Sequence, residues 1–140
     1  MATLVTVVIG VLIFLIGQLI LRVIIEPIAE QRRVIADTGD ELLARANLYS
    51  NPIGGWDAAR LETGDVIRKC AGRLGSRALL VPYYRVWQCM GLLRPRKSIT
   101  EARTLLFKIY NTMPDKGTGN DNHERAVRVR ELLGLPSHRE

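Results

Sequence analysis

Few side chains in this 140-residue chain could do chemistry, and their spacing excludes most reactions. The two histidines, His123 and His138, have no cysteine beside them and make no HExxH pattern, so they offer no tetrahedral zinc set. Cys70 and Cys89 stand at unrelated positions and form neither a CxxC pair nor a disulfide framework. Both are expected to be reduced, Cys70 as a small apolar residue on a helix face, with a disulfide between them as the alternative. Glu26 and Glu30 lie one helical turn apart, as paired acids would. Arg22, Arg32 and Arg33 surround them, however, which fits interfacial ion pairs better. The Gly-rich stretch 114–120 lacks the GxxxxGK[ST] order and a preceding strand, so it reads as an exposed loop rather than a phosphate cradle. No catalytic, cofactor or metal site emerges, and a non-enzymatic role is expected.

Positive charge at helical spacing is what the chain does offer. Lys69, Arg73 and Arg77 recur every four residues, Arg94, Arg96 and Lys97 cluster in a loop, and Arg125, Arg128 and Arg130 load the last helix. Beside an anionic leaflet each such residue adds about 1 kcal/mol of attraction, and Tyr83, Tyr84 and Trp87 would supplement it if they face the headgroups. A nucleic-acid backbone would suit the same residues, and a plainly solvated helical surface would need no ligand. Acids are interspersed throughout, so the solvated surface ranks first, the membrane surface second, and nucleic acid last.

The element that positions all of this comes first in the chain. Over residues 3–25 the only charge is Arg22, and seventeen positions are Leu, Ile, Val or Phe. Such a helix is roughly 35 Å long, enough for a hydrocarbon core of about 30 Å, and those side chains favour insertion by on the order of 5 to 10 kcal/mol. Arg22 lies near one end and can snorkel. A cleaved signal peptide would need a basic start, a shorter apolar core and a small-x-small site; a retained anchor is therefore expected. The rest of the chain is too polar to surround a core helix. It carries 19 of the 20 Lys and Arg residues and all 14 acids, so the positive-inside rule puts the N-terminus outside and the remainder in the cytoplasm.

Within the span, Thr3, Thr6, Gly10, Ile13, Gly17 and Ile20 share one side, with Gln18 next to it. Small residues let helices touch in lipid, and an amide there needs a partner. Gly10 and Gly17 are seven apart, not the four of GxxxG, and glycine is common in such helices in any case. A second copy or another membrane protein is the expected neighbour, with Gln18 carrying most of the weight.

Every periodic segment reads as helix and none as strand, so the fold class is all-α. The anchor, 1–25, continues as a membrane-proximal helix, 26–50, with Pro27 as a potential kink. Ile28, Ile35, Leu42 and Tyr49 recur every seven residues, Leu43 and Ala46 widen the stripe, and Gln31, Thr38 and Arg45 are its polar intervals. Asn51-Pro52-Ile53-Gly54-Gly55 ends it. A small cytoplasmic domain of about four helices, 56–140, follows. Its first helix, 56–80, turns Ile67, Cys70, Leu74, Ala78 and Val81 inward, with Gly72 and Gly75 as weak or close-approach points. A short helix starts at Pro82. The third begins at Ser98, where Ser98 and Glu101 match a capping box, and buries Ile99, Ala102, Leu106 and Ile109. The last opens at Asp121-Asn122-His123-Glu124 and closes at Leu133-Gly134-Leu135-Pro136.

Taken together, Gly17-Gln18, Glu26-Pro27, Leu48-Tyr49-Ser50-Asn51-Pro52, the run from Gly91-Leu92-Leu93-Arg94-Pro95 to Glu101-Ala102, and Leu133-Gly134 resemble the pattern of a group of small, uncharacterised bacterial single-pass membrane proteins. The resemblance implies an inner-membrane protein with an all-α cytoplasmic part and brings no ligand or activity. The leading expectation is a membrane-anchored helical interaction or scaffold protein. The alternative is a membrane-tethered sensor or effector, of a stress or phage-defence kind, that binds an anionic ligand or nucleic acid through the basic residues.

Overall fold

A run that is apolar on every side has no stripe to turn inward. In the computed structural model, which describes residues 1–52 and 54–136, it stands clear of the other helices. Helix α1, Ala2–Ile20, passes through a π-helical turn, Leu21–Ile25, into α2, Glu26–Ala44, so Thr3–Ala44 is one 42-residue helix. The π-turn has a cause. Pro27 has no N–H to give and its ring crowds the carbonyl four residues back. Widening the preceding turn, with the Glu26 N–H reaching five residues back to the Leu21 carbonyl, absorbs that misfit while Ile25 and Glu26 keep helical dihedrals.

The expected helix over 26–50 breaks at Arg45, whose φ of −108° leaves the helical region, and resumes as the short α3, Ala46–Ser50. The Arg45 guanidinium reaches Glu41 at 3.0 Å and Glu62 and Thr63 of the next helix at 3.3 Å each, tying the break to its neighbour. Beyond it come α4, Ala58–Leu80, α5, Tyr84–Cys89, α6, Arg96–Thr112, and α7, Gly119–Leu133. No strand occurs among the described residues. Ile53 of the expected turn and His138 lie outside them.

Cross-chain contacts fix the topology. Arg45 meets Glu62 while Glu30 meets Arg77, so α4 runs antiparallel to α2. Gly64 packs by Tyr110 and Gly75 by Arg103, so α6 reverses again; Thr112 meets Asn122 and Glu101 meets Arg128, so α7 reverses once more. The bundle is up-down-up-down, and α2 belongs to it rather than preceding it as a separate segment. In α6 and at its C-cap, Ile99, Ala102, Leu106, Ile109 and Met113 recur at three- and four-residue steps and are all buried, with α6 packed between α4 and α7. Ile67, Cys70, Leu74, Ala78 and Val81 line the inner face of α4 and its exit, as their spacing predicts.

Both expected N-caps shift. Pro95, with φ −54°, starts α6 at Arg96, so Ser98 falls in the first turn and the Ser98–Glu101 box is not the cap. Thr118 precedes α7, and its hydroxyl donates toward the Thr112 and Asp115 carbonyls at 2.8 Å; the helix thus begins two residues before Asp121. Gly119 is required there, because a Cβ would run into the Ser50 carbonyl oxygen. The α7 stop does fall at Gly134, in the left-handed region with φ 67°, with the Leu135 N–H reaching the Arg130 carbonyl at 2.9 Å. Of the two expected close-approach points, Gly75 meets α6, where a Cβ would sit 3.2 Å from the Arg103 side chain, while Gly72 has open space; a tighter one lies at Gly64, 3.0 Å from both the Trp56 and Tyr110 rings.

Candidate functional site

Three regions have the exposure or the polarity to act on something else: α1, the basic residues, and the end of the bundle nearest α1. Along α1 no residue of the most apolar stretch is buried, and Gly10 and Gly17 face open space, with Gln18 exposed beside Gly17. An apolar helix of a globular core would be covered; this one is not. Among the described residues nothing lies within 4 Å of a Cβ placed at Gly10 or Gly17.

The basic residues do not form one site. Lys69 and Arg73 line a cleft of about 490 Å³ between α4 and α2, and across it stand Asp37, Asp40 and Glu41. One turn on, Arg77 pairs with Glu30 at 3.5 Å. The stripe on α4 is therefore laid against an acidic stripe on α2, and Glu30 finds its partner on another helix rather than in its own Arg32 or Arg33. Glu30, Asp37 and Glu41 follow helical steps of their own, a signal present in the sequence, but the helix they face is set by the packing of α2 on α4. Arg94 reaches the Gly134 carbonyl at 3.4 Å, closing over the α7 stop. Arg96 reaches the Ala78 carbonyl at 3.4 Å and stacks over the Tyr84 ring, 4.6 Å from its centroid. Lys97 is exposed beside them. In α7, Arg125 donates to Thr112 and Asn122 at 2.9 Å, Arg128 pairs with Glu131 at 3.1 Å, and Arg130 bonds the Pro136 carbonyl.

The polar residues that matter most inside the bundle were not visible as such. Asn122 is fully buried; its Oδ1 accepts from the Thr112 hydroxyl at 2.7 Å and its Nδ2 donates to the Tyr49 carbonyl at 3.3 Å, joining α6, α7 and α3. Thr38 is buried too, its hydroxyl donating to the Val34 carbonyl at 2.7 Å. Gln31 is 0% exposed, and neither its Oε1 nor its Nε2 has a hydrogen-bond partner among the described residues. Arg60 is buried and bonds Asp57 and, at 2.8 Å, the Asn51 carbonyl, fastening the turn before α4. The bond that the Arg60 N–H gives Asp57 comes first among the causes holding that carboxyl below its usual range.

Both cysteines are free thiols, Cys70 buried and Cys89 exposed. Burial pushes the Cys70 thiol up, against the smaller opposing pull of the Thr38 hydroxyl, which makes it a poor nucleophile. Burial likewise raises the phenols of Tyr49, opposed by Arg130, and of Tyr84, opposed by Arg96. Among the described residues no group of three or more His, Cys, Asp or Glu is placed to hold a metal ion.

At the α1 end, a cleft of about 650 Å³ is lined by Arg22, Glu26 and Arg33 from the long helix and by Arg77 and Leu80 from α4. At the opposite end a groove of about 540 Å³ runs between Leu43, Ala46 and Tyr49 on one side and Ala126 and Val127 on the other. Comparison with protein-family models, with curated proteins and with solved structures gives no match.

Proposed function

We propose that the protein is a non-enzymatic, membrane-anchored interaction module. In this reading α1 crosses a bilayer, the bacterial inner membrane by the resemblance of its motifs, with the N-terminus outside and the bundle in the cytoplasm. It associates with a second copy or another membrane protein through Gly10, Gly17 and Gln18. One observation carries the reading: a single 42-residue helix, Thr3–Ala44, is apolar all round in its first half and packed into a bundle in its second. An uncovered apolar helix needs lipid, and one joined without a break to a folded bundle holds that bundle at a fixed place on the membrane. Gln18 supports the association, because an amide in hydrocarbon needs a hydrogen-bond partner, which a second membrane helix supplies.

The anionic-ligand or nucleic-acid reading has less behind it. Lys69, Arg73 and Arg77 already face carboxylates of α2, and Arg94 and Arg96 are engaged by carbonyls and a ring. A salt-sensitive rise in bundle melting temperature with nucleotides or RNA would revive it.

Gln18→Leu tests the leading reading. In-membrane crosslinking should show fewer oligomers or hetero-complexes for the variant, with insertion unchanged. Monomer alone in both wild type and variant would remove the association from the proposal.

A further inference from the structure

The bundle exposes apolar side chains where it should not. Leu79 and Leu80 in the last turn of α4, Tyr83 at the elbow, and Val86 and Met90 on and just after α5 have exposures from 53% for Val86 to 79% for Tyr83. All five sit at one corner of the molecule. Leu43, Trp56 and Leu61 are exposed singly elsewhere on the bundle, but among its described residues only this corner gathers five such side chains within twelve residues, and such a patch marks a contact surface.

The corner's height along the long helix identifies the contact. Leu80 shares its cleft with Arg22, Glu26 and Pro27, the residues at which the apolar run gives way to charge. The interfacial layer of a bilayer is on the order of 5–8 Å thick on each side of its hydrocarbon, and a helix advances about 1.5 Å per residue. The last turn of α4 is therefore level with the layer into which α1 leads. Exposed Arg85, next to Val86, gives the corner the mixed apolar and basic character of interfacial segments.

The elbow is also built to hold this shape. Tyr83 is the one non-glycine among the described residues with positive φ, at 50°, a conformation bulky residues rarely adopt. Its neighbours fasten it: the Trp87 indole donates to the Pro82 carbonyl at 3.0 Å, and the Tyr84 hydroxyl to the Arg94 carbonyl at 2.7 Å. Of the three aromatics in this stretch, Tyr84 is buried and Trp87 half-buried, and only Tyr83 points outward.

We infer that the α4–α5 elbow is a second membrane contact, seating Leu79, Leu80, Tyr83, Val86 and Met90 in the interfacial layer of the leaflet from which α1 emerges. The inference rests on the reading of α1 as a membrane span. Its consequence is that the bundle is held to the lipid at two points and lies against the surface in one orientation.

The test uses the full chain in phosphatidylcholine–phosphatidylglycerol vesicles. An environment-sensitive fluorophore is placed by Val86→Cys in a Cys89→Ser background, with Ile13→Cys and Asn120→Cys as parallel positions and buried Cys70 left in place. Lipids carrying a nitroxide near the headgroup should quench residue 86 strongly and residue 120 little, while chain-end nitroxides quench residue 13. Adding Leu79→Ser, Leu80→Ser and Met90→Ser, all at exposed positions, should bring quenching at 86 down to that at 120 with the melting temperature unchanged. Quenching at 13 but not at 86 would overturn the second contact and leave the anchor standing; quenching at neither would overturn both. Efficient 86-to-86 crosslinking without lipid quenching would mean that a second copy covers the patch, and would also overturn it.

Discussion

Helices α1 and α6 are nearly equal in length, 19 and 17 residues, and opposite in design. In α6 Ile99, Ala102, Leu106 and Ile109 make one buried stripe, half-buried Leu105, Phe107 and Tyr110 flank it, and polar or charged residues occupy the rest. In α1 apolar residues occupy nearly every position and none of the most apolar stretch is buried. The difference teaches how a chain declares its solvent. A periodic stripe asks for protein on one side and water on the other; an unbroken apolar surface asks for the same medium all round. An unbroken apolar surface and a packed helix face meet at Leu21–Ile25, where one helix passes from the first to the second without ending.

The comparison is broken most severely by charging α1. Leu12→Lys with Ile16→Lys should forfeit about 5 to 7 kcal/mol of insertion free energy. The protein should then move from the membrane pellet to the supernatant on ultracentrifugation, while circular dichroism shows the same bundle melting temperature. The converse change is Leu106→Ala in α6, which removes a fully buried side chain. It should cost the bundle about 2–5 kcal/mol in denaturant titrations, with membrane insertion untouched.

A smaller change has the opposite sign. The buried Gln31 amide carries the desolvation penalty of two unmatched polar atoms, and Gln31→Leu should raise bundle stability by about 1–3 kcal/mol on thermal melting. A drop would mean that the amide is matched in solution. The smallest effect is alkaline. Cys70, Tyr49 and Tyr84 are raised above their ordinary values, chiefly by burial. The unfolded chain therefore loses these protons first and binds fewer of them. Their stabilising contribution is complete below about pH 8.5 for the thiol and about pH 10 for the phenols, and is lost as pH climbs through the folded values. Melting in micelles should show this decline, and maleimide at neutral pH should modify Cys89 at once and Cys70 only on unfolding.

Much of the architecture was legible because local rules and packing agree. The inward residues of α4 and α6 are those at three- and four-residue steps, and the Gly134 stop follows from a conformation that glycine adopts readily. The misses lie where tertiary contacts override local signals. Gln31 and Thr38 read as polar intervals on a helix face, yet α2 turns them inward because α4 and α7 close over that side. Asn122 read as part of a cap, yet it joins three helices from inside. The Ser98–Glu101 box is a valid local signature, outcompeted by the fixed φ of Pro95. The basic stripe of α4 was legible, but its acidic counterpart appears only once α2 and α4 are known to lie side by side.

The unbroken passage from α1 into α2 turns the bundle into a lever. Over the 19 residues of α2 the arm is about 28 Å long, and a helix tilt of about 20° displaces its far end sideways by roughly 10 Å. On the proposed reading of α1 as a span, a bilayer that thins and forces α1 to lean would also swing the Leu43–Val127 groove and press or lift the opposite corner. The distance from a spin label at Asn120 to the lipid surface, followed across acyl-chain lengths, would measure that stroke; a constant distance would show that the arm yields somewhere along its length.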